Sequence, residues 1–366
     1  MSLEELRTRL GQRRAELHAM QIVVLAGGSS AEREISLVSG KAVAEALSGA
    51  GHHAELLAIS SEDITYDRTL AGDQPAQLPD IAVGAKPALT KQSEEKLPVL
   101  ARIRAADMIV TTLHGTRGED GVWQGLLELA GVPYVSAGVK GSALAMDKLT
   151  SKRLFAQLEI PTPPYWVQRR WADCRKQVPP EITDLVAKPV NQGSSVGIEF
   201  VTNDDGGWTR ITELNQRYDP LLLEQRIAGR ELTASVIGPL ANPLALPLVE
   251  IRPKREFYDY TAKYTAGQTE YICPAPVEQQ LAQQIQRDAV LAYRELELEP
   301  YSRLDCILDH DGGWWFLEAN TLPGFTSLSL LPRAAKAAGI AFTELLQLLM
   351  LCALERWEMM KEADHG

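Results

Sequence analysis

Arg303 to Gly324, RLDCILDHDGGWWFLEANTLPG, gathers an arginine, two carboxylates and an asparagine around a turn. Asp311-Gly312 between two alternating runs is a two-residue hairpin signal. Such a turn predicts Asp305 opposite Glu318 and Arg303 opposite Asn320. Strand side chains alternate with period two, so these four share one face. Leu304, Cys306, Leu308, Trp315, Leu317 and Ala319 fall on the other. Carboxylates paired across a hairpin, with Cβ atoms about 5 Å apart, repel each other unless a cation stands between them. Oxygen-only ligands suit Mg²⁺, which takes one or two carboxylates together with substrate phosphates. The alternative is an exposed face balanced by Arg303 alone.

Three lysines could hold phosphates. Lys148 lies in an amphipathic helix, Ser142 to Leu158, and Lys188 in an apolar strand, Leu185 to Val190. Lys263 lies in a Tyr- and Lys-rich loop, Arg252 to Pro276, long enough to act as a lid. A lysine inside an apolar strand is costly unless paired. The Gly/Ser loop after it, Asn191 to Gly197, can wrap phosphates with backbone N–H groups. Glu224 near the end of the strand Leu221 to Arg226, and Glu231 before the strand Leu232 to Ile237, could hydrogen-bond an adenine amine or ribose hydroxyls, or be surface charges. No Cys/His pair offers a covalent nucleophile. Cations, a hard metal and no nucleophile suit phosphoryl transfer from a nucleotide, with Arg303 able to stabilise an oxyanion.

The elements that must position these residues begin with a βα unit. Gln21 to Ala26 is an apolar strand, Gly27-Gly28-Ser29-Ser30 a turn, and Ala31 to Leu47 a helix with Glu32 in its first turn. Neither G-x-G-x-x-G nor a Walker A is present. Met108 to Leu113 is a second buried strand ending at His114, so Glu32 and His114 are expected along one carboxyl edge of a parallel sheet, where open α/β sheets bind ligands. A short strand His53 to Ile59, a helix Val122 to Ala130, a strand Pro133 to Val135 and a turn Gly138 to Gly141 complete this part. Helices are expected over Val277 to Leu296 and within Ser327 to Trp357.

The composition fits a globular chain of two or three domains: 366 residues, 45% hydrophobic and 23% charged. Net charge is 37 − 48 = −11 without a basic run, which argues against nucleic acid and anionic membranes as partners. The four scattered cysteines suggest neither zinc nor disulfides, and no run reaches the length of a membrane span, so a reducing cytoplasm is expected. Met1 to Met20 reads as a mixed-charge helical appendage.

Between about residue 21 and residue 355 the chain resembles the D-alanine–D-alanine ligases of the ATP-grasp superfamily. The matching segments are Gly27 to Ser36, His114-Gly115 with Gly118 to Gly121, Met146-Asp147-Lys148, Lys188-Pro189 with Gly193 to Gly197, Phe257 to Tyr260 with Ala262-Lys263-Tyr264, Arg303 with Asp305, and Glu318 to Thr321 with Pro323-Gly324. The resemblance implies an α/β ATP-grasp fold: an N-terminal extension (1–20), a parallel-sheet substrate domain (21–136), and two α+β ATP-binding subdomains (137–227 and 228–356). The last would carry a lid (252–272) and the metal hairpin (303–320).

It also implies condensation of two D-alanines through a D-alanyl phosphate, for peptidoglycan. Lys148, Lys188 and Lys263 would hold ATP phosphates, and Glu224 and Glu231 the adenine and ribose. Asp305, Glu318 and Asn320 would ligate two Mg²⁺, for which Mn²⁺ substitutes, and a monovalent cation is a further ligand to consider. Glu32 would hold the first substrate's ammonium beside His114, and Ser194 and Tyr264 would link it to the lid. Arg303 and the Gly324 N–H would form the oxyanion site, and the Ser329 and Leu330 N–H groups would receive the second carboxylate. Tyr264 implies an amine rather than a hydroxy acid as second substrate, and a homodimer is implied as well. The remaining alternatives are another ATP-grasp amino-acid ligase and a catalytically silent nucleotide-binding regulator.

Overall fold

The apolar run Gln21–Gly27 (β1) is buried from its second residue onward, as expected of a parallel strand covered on both faces. In the computed structural model, which describes residues 2–13, 15–28, 30, 32–59, 99–193, 196–254, 268–326 and 329–364, it lies centrally in a four-stranded parallel sheet. His53–Ile59 (β2), Met108–Thr111 (β3) and Tyr134–Val135 (β4) complete the order β2-β1-β3-β4. The helix Arg33–Gly49 packs so closely on β1 that a Cβ at Gly40 would stand 2.6 Å from that of Ala26. Glycine there lets the helix start, and hence Glu32, approach the strand end.

The second sheet is antiparallel. Tyr165–Gln168 (β5), Asp184–Pro189 (β6), Glu199–Thr202 (β7) and Leu221–Gln225 (β8) run in the order β5-β8-β6-β7. One face is covered by the helix Asp205–Arg217 through Trp208, Ile211 and Leu214. The other carries Leu222, Val190, Tyr165 and Val167.

The third sheet is built on Gly229–Ile237 (β9), with Leu244–Ala245 (β10), Val249–Pro253 (β11), Thr269–Ile272 (β12), Tyr301–Asp309 (β13) and Trp314–Asn320 (β14). The helix Gln279–Glu295 covers one face through Ile285, Ala289 and Tyr293. The helices Leu330–Ala337 and Phe342–Asp364 join the other face to the N-terminal sheet in one continuous core. No single described helix is long and apolar enough to cross a membrane.

Several sequence expectations are corrected. The hairpin turn is one residue longer than Asp311-Gly312: the Asp309 N–H donates to the Gly313 carbonyl, and Gly312 takes φ +87°, the left-handed residue that three-residue loops require. Cys306 therefore pairs with Phe316, and a bulge at Leu317 restores Asp305 opposite Glu318 and Arg303 opposite Asn320. The two deviations cancel at the polar end but exchange the core face. Phe316 and Trp314, rather than Trp315 and Leu317, join Leu304, Cys306, Leu308 and Ala319 in the core.

The expected single helix Ser142 to Leu158 is two, Val139–Met146 and Lys148–Gln157, and the first already occupies the expected turn Gly138 to Gly141. They break at Asp147, whose extended backbone and side-chain bond from the Thr150 N–H make it an N-cap. The expected loop Arg252 to Pro276 includes β12, paired antiparallel to β11. The N-terminal helix Leu3–Gln12 is no loose appendage, because Leu6 is 1% exposed and sits with Leu17 and Met20 in the core shared with the C-terminal helix.

Candidate active site

The helix break at Asp147 sets Lys148 at a helix start, beside the bulged hairpin. Its Nζ donates to the Gln192 carbonyl at 2.7 Å and lies 3.2 Å from Glu318 Oε2. On the same hairpin the Arg303 guanidinium grips Asp305 with Nε at 2.7 Å and Nη2 at 2.8 Å, and the Asn320 amide donates to Asp305 Oδ2 at 3.0 Å. The cations that the paired carboxylates demand are thus Arg303 and Lys148. Glu119, Met146, Gly193, Glu318, Asn320 and Thr321 help to line the cleft around Lys148. Thr233 opposite Asp305 and Ser235 opposite Arg303 extend this face along β9, with half-buried Glu231 next out, opposite Ile307.

Lys188 is paired, as its position in an apolar strand demanded. Val186 stands opposite Glu224, so Lys188 reaches Glu224 diagonally and places Nζ 2.7 Å from Oε2. Lys152, four residues after Lys148 and so on the same helix face, places its Nζ 2.6 Å from Glu224 Oε1. Burial pushes the Glu224 carboxyl up, yet the two ammoniums outweigh it and hold the group below the ordinary carboxylate range. Burial likewise pulls Lys152 down to about 8 against the pull of Glu224.

At the edge of the parallel sheet, Glu32, His114 and Glu119 bring one ligand atom each within 4.8 Å of one another. Glu32 and His114 do share that edge. Burial pulls His114 below its ordinary value, against Glu32, so the imidazole is neutral at pH 7. Glu119 is pushed up to about 8 by burial and by Glu32, although it accepts the Gly115 N–H at 2.6 Å. The Arg303 charge acts on both His114 and Glu119, which ties this cluster to the hairpin.

Gly324 lies in the loop after β14, where a Cβ would stand 2.8 Å from Ser329 Oγ. Ser329 Oγ accepts the Thr326 N–H at 3.0 Å, and the Ser329 N–H itself donates to the Thr326 carbonyl at 3.0 Å. Ser329 is therefore engaged within its own loop, contrary to an open N–H pair, while Leu330 opens a helix whose first N–H groups have no intrahelical partner. Ser194, Lys263 and Tyr264, and most of the 252–272 lid, lie outside the described residues.

Sequence reasoning missed Lys152, Thr162 and Glu119 as site residues. Lys152 carried one signal, the four-residue spacing from Lys148, and Glu119 entered only within a matching segment.

A parallel sheet followed by two antiparallel sheets, with lysines and carboxylates converging from both, is an ATP-grasp protein. The D-ala D-ala ligase N-terminus family profile matches residues 21–137, and the D-ala D-ala ligase C-terminus profile residues 154–351. The chain is 38% identical over 337 residues to the D-alanine–D-alanine ligase of Syntrophotalea carbinolica, covering 92% of this chain and 97% of that one. It superposes on the crystal structure of the Bacillus anthracis D-alanine–D-alanine ligase with TM-score 0.73 at 28% identity, covering 93% of this chain and 99% of that one. The structure of the Bacillus anthracis enzyme complexed with ATP gives TM-score 0.72 at 26% identity, with the same coverage. The chain belongs to the D-alanine–D-alanine ligase family.

Proposed function

We propose that the chain joins two D-alanines with ATP, forming D-alanyl-D-alanine through a D-alanyl phosphate for peptidoglycan precursor synthesis. The observation that carries the reading is the meeting of two charge systems: the Glu32, His114 and Glu119 cluster on the parallel sheet and the Arg303, Asp305 and Glu318 hairpin. The first offers the Glu32 carboxylate to an ammonium. The second offers cations and oxygen ligands to phosphates.

In this reading Lys148 and Lys188, with Lys263 of the lid, hold the ATP phosphates, and Glu224 and Glu231 receive the base and ribose. Half-buried Tyr165, opposite Glu224 across the strand pair, suits a flat base. Asp305, Glu318 and the Asn320 carbonyl oxygen form an oxygen-only set that fits two Mg²⁺, since Asn320 donates to Asp305 through its nitrogen. Bound there, Mg²⁺ supplies charge neutralisation to the transferring phosphoryl group.

Glu32 holds the first amino acid's ammonium, with Ser194 and Tyr264 joining it to the lid, and neutral His114 stands beside it. Arg303 and the Gly324 N–H stabilise the oxyanion formed when the second D-alanine's amine attacks the acyl phosphate, and phosphate leaves. The Ser329 and Leu330 N–H groups receive the second carboxylate, which requires the Ser329 N–H to exchange its bond to Thr326 for the ligand. We further propose the domain division 21–136, 137–227 and 228–356, a homodimer, and a cytoplasmic setting.

The test is ADP release with ATP and Mg²⁺ in the presence of D-alanine, L-alanine or no amino acid, with mass analysis of the product. Release that depends on D-alanine and yields the dipeptide is expected. Nucleotide binding without D-alanine-dependent release would overturn the reading in favour of a different ligase or a silent regulator.

A further inference from the structure

Lys152 belongs to no part of the reaction just described, yet among the described residues it is the most deeply buried lysine near the cleft. Its side chain is 0% exposed, and those of its neighbours Lys188 and Glu224 are 6% and 3% exposed. Its Nζ lies 2.6 Å from Glu224 Oε1, donates to Thr162 Oγ1 at 2.5 Å, and stands 5.4 Å from the centre of the Tyr165 ring. Two buried ammoniums thus share one carboxylate, one more charge than pairing needs. A buried excess charge is expensive. The arrangement makes physical sense if one of the two cations is needed elsewhere for part of the time.

Lys188 is the one that can leave. It projects from a strand that runs into the Gly/Ser loop beside the cleft, whereas Lys152 is anchored by Thr162, whose hydroxyl is itself fixed by donation to the Phe316 carbonyl at 2.8 Å. If Lys188 were the sole partner, moving it to a phosphate would strand the Glu224 charge in a buried place. We infer that Lys152 is a resident counter-ion for Glu224, a positioning residue that frees Lys188 to bind a nucleotide phosphate while Glu224 stays ionised and in place. This rests on the reading of the cleft as an ATP site.

The test separates phosphate binding from base binding by using inorganic tripolyphosphate, which offers phosphates and no base, alongside ATP. Binding of both is followed by calorimetry on the full chain without D-alanine, so the outcome does not depend on whether the wild-type chain makes the dipeptide. Lys152→Met is expected to weaken both ligands on the order of tenfold, because Lys188 is then held on Glu224, and Lys152→Arg to recover most of the loss. Adding Glu224→Gln to Lys152→Met removes the charge that holds Lys188 and is expected to restore tripolyphosphate binding to within about threefold of wild type.

Wild-type tripolyphosphate binding by Lys152→Met overturns the inference. So does a double variant that binds tripolyphosphate no better than Lys152→Met alone, since lost packing would not be repaired by a second substitution. If Lys152→Met does not fold, the comparison of Glu224→Gln with the double variant decides. Less than twofold difference in tripolyphosphate binding supports the counter-ion role, and a tenfold weakening overturns it.

Discussion

The Thr162 hydroxyl donates to the Phe316 carbonyl at 2.8 Å, and the Phe316 N–H donates to the neighbouring Pro161 carbonyl at 2.8 Å. Phe316 is the residue before the bulge at Leu317, so the segment that ends one helix pins the irregularity that sets the hairpin register. The same Thr162 oxygen accepts from Lys152. One hydroxyl thereby joins the hairpin to the Glu224 ion pairs.

Thr162→Val removes both bonds while keeping the shape. Loss of a hydrogen bond that leaves a charged partner short of an acceptor costs about 1–3 kcal/mol. An unfolding free energy lowered by that amount in urea denaturation, and recovered in Thr162→Ser, is the expected result. An unchanged midpoint would show the hydroxyl to be dispensable.

Arg303→Lys keeps the charge on the hairpin but cannot form the two-pronged grip on Asp305. Removing a donor to a developing oxyanion lowers kcat on the order of 10²–10³-fold. Steady-state kinetics should show this fall with KM for ATP changed far less. A lysine variant that keeps more than about a tenth of kcat contradicts the oxyanion role.

Leu6→Ala tests whether the N-terminal helix belongs to the fold. Leu6 is 1% exposed against the C-terminal helix, where Arg7 pairs with Glu344 at 2.6 Å and Arg13 with Glu358 at 2.7 Å. These ion pairs are half-exposed and contribute little, so the apolar contact dominates. Truncating a buried leucine costs about 2–5 kcal/mol. Chemical denaturation should report that loss with kinetic constants unchanged, and a loss below about 0.5 kcal/mol would mark the helix as peripheral.

Glu299 makes stability depend on pH. Burial raises its carboxyl from 4.5 to about 7, against the nearby Arg356 charge. The folded chain therefore binds a proton that the unfolded chain has already lost, and stability falls as pH rises from 4.5 through about 7. Glu299→Gln removes the ionisation, so its stability advantage over wild type should grow across that window to a few kcal/mol. Parallel pH curves for the two proteins would refute the assignment.

Much of the site was legible in the chain because local chemistry dictates it. The strand β1 followed by a glycine turn, the alternation of Arg303, Asp305, Glu318 and Asn320, and the lysine in an apolar strand each express a rule that acts over a few residues. Period-two alternation placed the four hairpin groups together even though the turn was one residue longer than its signal, because the Leu317 bulge added one back. That compensation, and with it the choice of Phe316 over Trp315 for the core, goes with contacts from elsewhere in the chain, the Pro161-Thr162 segment and the Phe155 ring, which no local pattern reports.

Lys152 and Glu119 look like ordinary surface residues in the sequence. Lys152 acquires its role only because β8 brings Glu224 beneath the helix Lys148–Gln157, and Glu119 only because the loop after β3 meets Glu32 and Arg303. The sequence by itself determined which elements form and which side chains share a strand face. Tertiary structure alone decided which charges are buried together, because desolvation and pairing depend on neighbours distant in the chain.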